Sequence, residues 1–519
     1  MKKIYFFYSF ILLIALILSL RGLQGNPNAY DLNQSSWKEN GPFELSPERG
    51  RFTLLYSVIE DHSFYFSDQL GQFARPDVAV SKGRYVSLFA PLLSFITIPG
   101  YIIGKYFGIA QVGAFAIISL FAFFNFLLIR SISIRVGANR IAALLGATVF
   151  LFATPAFAYA VNLYQHHIST FLILMSIYLL LHSRSVWSLF LVFFLCALAI
   201  PLDYPNLFFL FPIGVYALGR TITTRYQGNN FKIRFNFVKF ITISAMTLPI
   251  LFFLWFNQVS YGNAFQLSGT LPSAKRAPLS KNVTSNTSLE SQFAVPTPPV
   301  NAANNKSALG FFKTRQMLNG FYIQFISPDR GILYFSPVIL LGVLGAFLAY
   351  KRKVKMVPLF VAIIGANILL YSMWGDPWGG WAFGSRYLIP SYAILSIFIA
   401  LLLSYWQRKI WLLLIFIILF GFSVGVNTLG AITSSANPPK AEVLELEKVS
   451  GLVQKYTFER NWDFLRSNNS KSFVFQVAAR KYMSAVQYYE ILAGLIILSG
   501  LSLTTILLIS GRVKRKNNK

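Results

Sequence analysis

Apolar runs of roughly 20 residues recur along this chain, and this feature constrains its fold more than any single motif. They can be drawn at 4–20, 109–129, 141–160, 168–181, 186–200, 207–218, 237–257, 332–350, 356–374, 387–405, 410–428 and 488–510. Each is long enough, with its flanks, for an α-helix to cross a hydrocarbon core. With Lys2-Lys3 on the inner side, the inner connections become 130–140, 182–185, 219–236, 351–355, 406–409 and the tail 511–519. Those connections are rich in Lys and Arg and contain no acid, so all 18 Asp and Glu lie elsewhere. Such a bias in short loops is what orients membrane proteins. The expected fold is an all-α integral membrane protein, a polytopic bundle of about twelve transmembrane helices with both ends inside.

The composition agrees. Of 519 residues 55% are hydrophobic and 12% charged, about half the charged share of a soluble protein; mean hydropathy is +0.54. The net charge of +28 would suit nucleic acid, but the run of bases without acids on the inner connections points to membrane orientation instead. The run after Lys3 ends in Leu20-Arg21-Gly22-Leu23, a poor cleavage site, so it reads as an uncleaved first helix. A lone cysteine, Cys196, lies inside an apolar run and offers neither a disulfide framework nor a thiolate cluster.

The charge alternation holds only if one apolar stretch, 84–108, does not cross. Pro91 and Pro99 interrupt it and Arg84 and Lys105 flank it, so it is expected to lie as an interfacial helix on the outer side. The organisation that follows is a transmembrane module over 1–428, an outer cap segment at 429–487, and a last helix with a basic tail at 488–519. Within the module the first outer loop is 21–83. Another outer loop, 258–331, has a Ser-, Asn-, Pro- and Thr-rich middle from Ser268 to Asn305 that is expected to be mobile.

Ionisable groups beside a membrane are costly and mark candidate chemistry. Glu60-Asp61 ends a stretch in which Leu55, Val58 and Ile59 recur at helical spacing. Acids at a helix C-terminus oppose the macrodipole, and a carboxylate there can accept a hydroxyl proton. Solvated loop acids are the simpler alternative. Lys82 and Arg84 precede the interfacial stretch, where they suit a phosphate or simple anchoring. His166-His167 closes the third span; adjacent side chains diverge by about 100° on a helix, which suits hydrogen bonding rather than a zinc pair. Asp203-Tyr204-Pro205 reads as a turn. The connection from Trp374 to Tyr387 packs three Trp, four Gly, Asp376 and Arg386 into one loop, more than belt anchoring requires. Trp378, Trp381 and Tyr387 offer aromatic faces for a sugar.

This pattern resembles the GT-C-type membrane glycosyltransferases that use polyprenyl-phosphate sugars, a superfamily that includes protein O-mannosyltransferases and aminoarabinose transferases. The likeness rests on a first helix followed by an outer loop with Glu60-Asp61, and on Ala90-Pro91-Leu92 opening the interfacial stretch. It extends to Ser327-Pro328-Asp329-Arg330-Gly331, Trp378-Gly379-Gly380-Trp381 and Gly384-Ser385-Arg386-Tyr387, with Asn257 and Tyr261-Gly262-Asn263 as a weaker echo. Where the class often presents a second acid, this chain has His166-His167.

The resemblance implies an inverting glycosyltransferase on the outer face of a bacterial cytoplasmic membrane. Its partners would be a polyprenyl-phosphate sugar donor, a glycan, lipid or protein acceptor, and the bilayer, with no nucleic acid. Asp61 or Glu60 would be the catalytic base. Lys82, Arg84, Arg330 and Arg386 would bind the donor phosphate. His166, His167, Asp376, Trp378, Trp381 and Tyr387 would bind substrate. No pattern calls for a metal or other cofactor, although a divalent cation is compatible with the chemistry. The rivals are a transporter or flippase of lipid-linked sugars and an O-antigen-ligase-like enzyme. Repeats and midplane charges expected of a transporter are not seen in the sequence.

Overall fold

The computed structural model describes residues 2–227, 230–271, 308–451 and 453–516. The Ser268–Asn305 expectation falls almost wholly outside them. The described chain is mostly helical, and a helix lies under every apolar run drawn from the sequence. Among the described residues five helices are long and apolar enough to cross a membrane: Ala110–Arg135, Phe237–Tyr261, Arg386–Tyr405, Ile410–Ile432 and Ala485–Gly511. Their burial differs widely. In Arg386–Tyr405 89% of the residues of its most apolar 18-residue stretch are buried, and this helix forms the axis of the bundle, whereas in Phe237–Tyr261 the share is 17% and Phe237, Val238, Leu248, Leu251 and Trp255 turn outward. A helix that apolar on its exposed face is solvated by lipid rather than water. The chain is therefore an integral membrane protein.

The fold is not purely helical. Two antiparallel hairpins join Val78–Ser81 to Arg84–Ser87 and Ile222–Gln227 to Asn230–Phe235. The first corrects the interfacial reading of 84–108. Arg84–Ser87 pairs as a strand, and the helix begins only at Leu92 and runs to Tyr106. Along the strand Arg84, Tyr85, Val86 and Ser87 pass from exposed to buried, so in sequence its buried end merges with the apolar helix after it. That helix folds back against Ala110–Arg135. The pair touches backbone to backbone, since a Cβ on Gly100 would stand 2.3 Å from the Gly113 carbonyl oxygen. Any larger residue at position 100 would push the two helices apart.

Ser46–Glu60 is an α-helix with Pro47 in its first turn, where a missing N–H costs nothing. The 429–487 segment forms three short helices, Lys440–Ser450, Glu459–Arg466 and Phe473–Val477. A buried charge cluster fixes this segment to the rest. Arg21, fully buried, places Nη1 3.2 Å from Glu44 Oε2 and donates to the carbonyls of Gly430 and Ala431. Lys471 Nζ lies 2.7 Å from Glu44 Oε1, and the Ser435 backbone N–H donates to Glu44 Oε2 at 3.0 Å. Burial alone would raise the Glu44 carboxyl, but Lys471 and Arg21 outweigh it and hold it below the usual carboxylate range.

Candidate active site

A cavity of about 200 Å³ lies where several apolar helices end together. His166 opens the His166–His182 helix, Tyr371 closes Val357–Ser372, and Arg386 opens the axial helix. Asp203 lies in the turn between Val186–Leu198 and Asn206–Gly219. Pro47 and Arg51, one turn apart on the Ser46–Glu60 helix, complete the wall.

Two buried guanidinium groups face this cavity. Arg51 lies 4.4 Å from the Phe89 ring centroid and 5.4 Å from that of Tyr164. Arg386 lies 5.0 Å from the Tyr164 centroid and donates through Nη2 to the Gly379 carbonyl. The Tyr387 ring, beside it, stacks on Tyr371 with centroids 4.0 Å apart. The acid on the wall is Asp203, whose Oδ2 accepts from Gln165 Nε2 at 2.9 Å. Burial raises its carboxyl, while the Gln165 hydrogen bond, Arg51 and Arg386 oppose that rise.

The wall holds buried polar atoms without a well-aligned hydrogen bond: Arg386 Nε and Nη1, His166 Nε2, Tyr164 Oη and Gln165 Oε1; Arg386 faces the Tyr164 and Tyr387 hydroxyls. Buried polar atoms so placed are uncommon in folded proteins. A cluster of them around one cavity, mostly donors or potential donors, is suited to hydrogen-bonding an anionic, oxygen-rich ligand.

Glu48 lies on the same helix, three residues before Arg51 and so on the same face. It is fully buried, its carboxyl is held toward the Leu45 backbone at the start of the helix, and it lines neither this cavity nor the larger one described below. Burial pushes its carboxyl up to about 7; Arg21 opposes this and Glu44 adds to it. The charge it would carry acts on Tyr159 and Tyr164.

Of the residues singled out in the sequence, His166, Arg386 and Tyr387 meet at this cavity. The others sit elsewhere. Asp61 is the exposed C-cap of the Ser46–Glu60 helix, about 20 Å along it from Glu48. Both Glu60 oxygens lie 2.7 Å from Lys105 Nζ, and Oε1 also accepts from Tyr101 at 2.8 Å. Lys82 and Arg84 are exposed on the first hairpin, Arg84 against the Tyr65 ring. Arg330 is buried and donates to the carbonyls of Asp329, Trp378, Gly380 and Asn437, which ties the Trp374–Tyr387 loop to the segment after the Ile410–Ile432 helix. Asp376 holds the same loop by accepting from the Gly380 N–H at 2.6 Å. His167 is buried, with Nε2 2.7 Å from the Ala156 carbonyl oxygen. Trp378 lines neither this cavity nor a second, larger one, whereas Trp381 lines the second.

The sequence did not single out Arg51, Tyr164 or Glu48, and read Asp203 only as a turn. The Glu48-Arg49-Gly50-Arg51 run in an otherwise apolar helix was the available signal. Among the described residues no three His, Cys, Asp or Glu side chains come together as a metal site.

No protein-family model and no curated protein matches the sequence. Among solved structures the chain is similar to two crystal structures of ArnT from Cupriavidus metallidurans. One is in the apo state, with 13% identity and a TM-score of 0.46, covering 98% of this chain and 76% of that one. The other is bound to undecaprenyl phosphate, with the same identity and TM-score, covering 97% and 76%.

Proposed function

We propose that this chain is an inverting membrane glycosyltransferase, built on about twelve transmembrane helices, that moves a sugar from a polyprenyl-phosphate donor to an acceptor hydroxyl on the outer face of a bacterial cytoplasmic membrane. The carrying observation is that two buried guanidiniums, Arg51 and Arg386, face one cavity at the shared end of apolar helices. Two buried guanidiniums against one wall carboxylate leave the site cationic, and a buried cation without a counterion is expensive. A phosphate supplies that counterion, and Arg binds it with two parallel hydrogen bonds. The donor's lipid tail has the outward apolar side chains of the helices to lie against.

In this reading Arg51 and Arg386 hold the phosphate, and Asp203, fixed by Gln165, keeps the two guanidiniums in place. Glu48 takes the proton of the acceptor hydroxyl. The hydroxyl oxygen bonds to the anomeric carbon from the face opposite the phosphate, and the carbon–oxygen bond to the phosphate breaks. The electron pair leaves on the phosphate oxygen, where the guanidiniums stabilise the growing charge. Lys82 and Arg84 lie on the donor's path of approach. Glu60 and Asp61, at the far end of the helix, serve the fold.

The donor assignment is tested by binding of polyprenyl phosphate to the purified protein. A hydrogen bond to a charged group contributes about 1.5–3 kcal/mol, so Arg386→Gln should weaken binding roughly tenfold to a hundredfold. Arg51→Gln combined with it should weaken binding further. Unchanged binding in the double variant would refute the site.

The orientation has its own check. Lys355 and Val449 are exposed on opposite expected sides. In intact cells Val449→Cys should react with an impermeant maleimide and Lys355→Cys should be protected. The reverse pattern would place the cavity on the cytoplasmic side.

A further inference from the structure

A second cavity, about 610 Å³ in volume, opens between the first long loop and the 429–487 segment. It falls in the roughly 300–1,000 Å³ range of small-molecule sites. It shares two wall segments with the small cavity. Glu44 lines the large one and Pro47 the small one; Trp381 lines the large one, Arg386 and Tyr387 the small one. Glu48 is buried on the first of these segments but lines neither cavity.

The chemistry of the large cavity narrows what it takes. Its Glu44 is neutralised by Arg21 and Lys471, and its Asp463 lies 2.7 Å from Lys455. That leaves Glu39 and Arg460, one charge of each sign, so the cavity selects neither anions nor cations strongly. The Trp381 indole is fixed by its N–H, which donates to Glu442 Oε2 at 3.0 Å. The Arg460 guanidinium lies 5.4 Å from that ring's centroid, with no hydrogen-bond partner for its N–H groups among the described residues. Phe464 adds a second aromatic wall, and Asn40, Gln454 and Ser467 add amides and a hydroxyl. Aromatic faces beside free planar donors, amides and hydroxyls match the C–H faces and hydroxyl rims of sugar rings.

We propose that this cavity binds the acceptor, and that the acceptor is an uncharged saccharide. The acceptor role rests on the transferase reading above; the saccharide assignment does not. Full-length protein in lipid nanodiscs, without donor, is probed by saturation-transfer difference NMR. The probes are maltose and N,N′-diacetylchitobiose as neutral sugars, digalacturonate as an anion and the glucosamine disaccharide as a cation.

The neutral sugars should receive saturation. Arg460→Gln and Trp381→Leu should weaken their binding at least tenfold, and Arg386→Gln should leave it intact. Arg460→Lys, which keeps the charge but loses the planar fork, is a second variant should Trp381→Leu fail to fold, and the same loss is expected. No saturation of either neutral sugar, stronger binding of a charged probe, or undiminished binding in the Arg460 variants overturns the proposal. Polyprenyl-phosphate binding is measured on the same samples, and Arg460→Gln should not change it. Saccharide binding without polyprenyl-phosphate binding would overturn the transferase reading and the acceptor role with it. Polyprenyl-phosphate binding without saccharide binding would overturn the acceptor site alone.

Discussion

Glu48→Gln should reduce sugar transfer by about 10²–10⁴-fold, the usual cost of losing a general base, while polyprenyl phosphate still binds. The carboxyl is poised for that task because burial has pushed it up to about 7, close to the working pH at which a base is most effective. The same burial makes the wild-type residue a liability. At low pH Glu48 is protonated in the folded and unfolded chain alike and changes nothing. Above about 4.5 the unfolded chain ionises, while the folded one holds its proton until about 7. Stability therefore falls as pH rises through that window and stays reduced above it. Glu48→Gln removes the penalty, so the variant should be the more heat-resistant protein at pH 8, by up to about 3 kcal/mol, and equal to wild type at pH 4. Loss of transfer with gain of stability separates a catalytic carboxyl from a structural one. A variant that transfers normally would place the base elsewhere, with Asp203 next.

Glu44→Gln should have the opposite character, lowering stability by about 3–5 kcal/mol and loosening the 429–487 segment. The substitution keeps the shape of the side chain but leaves Arg21 and Lys471 buried without their counter-charge. Arg21 belongs to the first loop and Lys471 to the cap, so the carboxylate between them is what draws distant parts of the chain together. Thermal unfolding in nanodiscs measures the loss, and limited proteolysis should cut first within 440–466. The exposed pair Lys448–Glu445, 2.9 Å apart with side chains 70% and 63% exposed, is the control. Breaking it should cost below about 1 kcal/mol. Equal effects at the two sites would mean that the buried cluster does not hold the cap.

The helices of the bundle were legible in the sequence because a bilayer leaves the chain little choice. Every backbone polar group must be satisfied within its own helix, so each crossing shows as a long apolar run whatever its neighbours are. The expected runs and the helices agree to within a few residues at most ends, as at 410–428 against Ile410–Ile432. The Ser46–Glu60 helix was visible for a similar local reason, the spacing of Leu55, Val58 and Ile59. The hairpin at Val78–Ser87 was not. Its strands are only four residues long, show no alternation of buried and exposed residues, and run straight into an apolar helix, so 84–108 reads in sequence as a single interfacial stretch.

The site divides the same way. His166, Arg386 and Tyr387 stood out because polar and aromatic residues at the ends of apolar runs are few. Which acid matters was decided by tertiary structure. Glu60 and Glu48 lie on one helix, but one meets Lys105 at 2.7 Å and the other is fully buried, which pushes its carboxyl up. Arg51, Asp203 and Arg386 are more than 150 residues apart in sequence at each step, and only packing brings them to one cavity. A sequence determines where a bilayer forces helices, because that requirement is met residue by residue along one segment. The reactivity of a carboxyl depends on the charges, donors and water left beside it, and those arrive from other segments once the helices have packed.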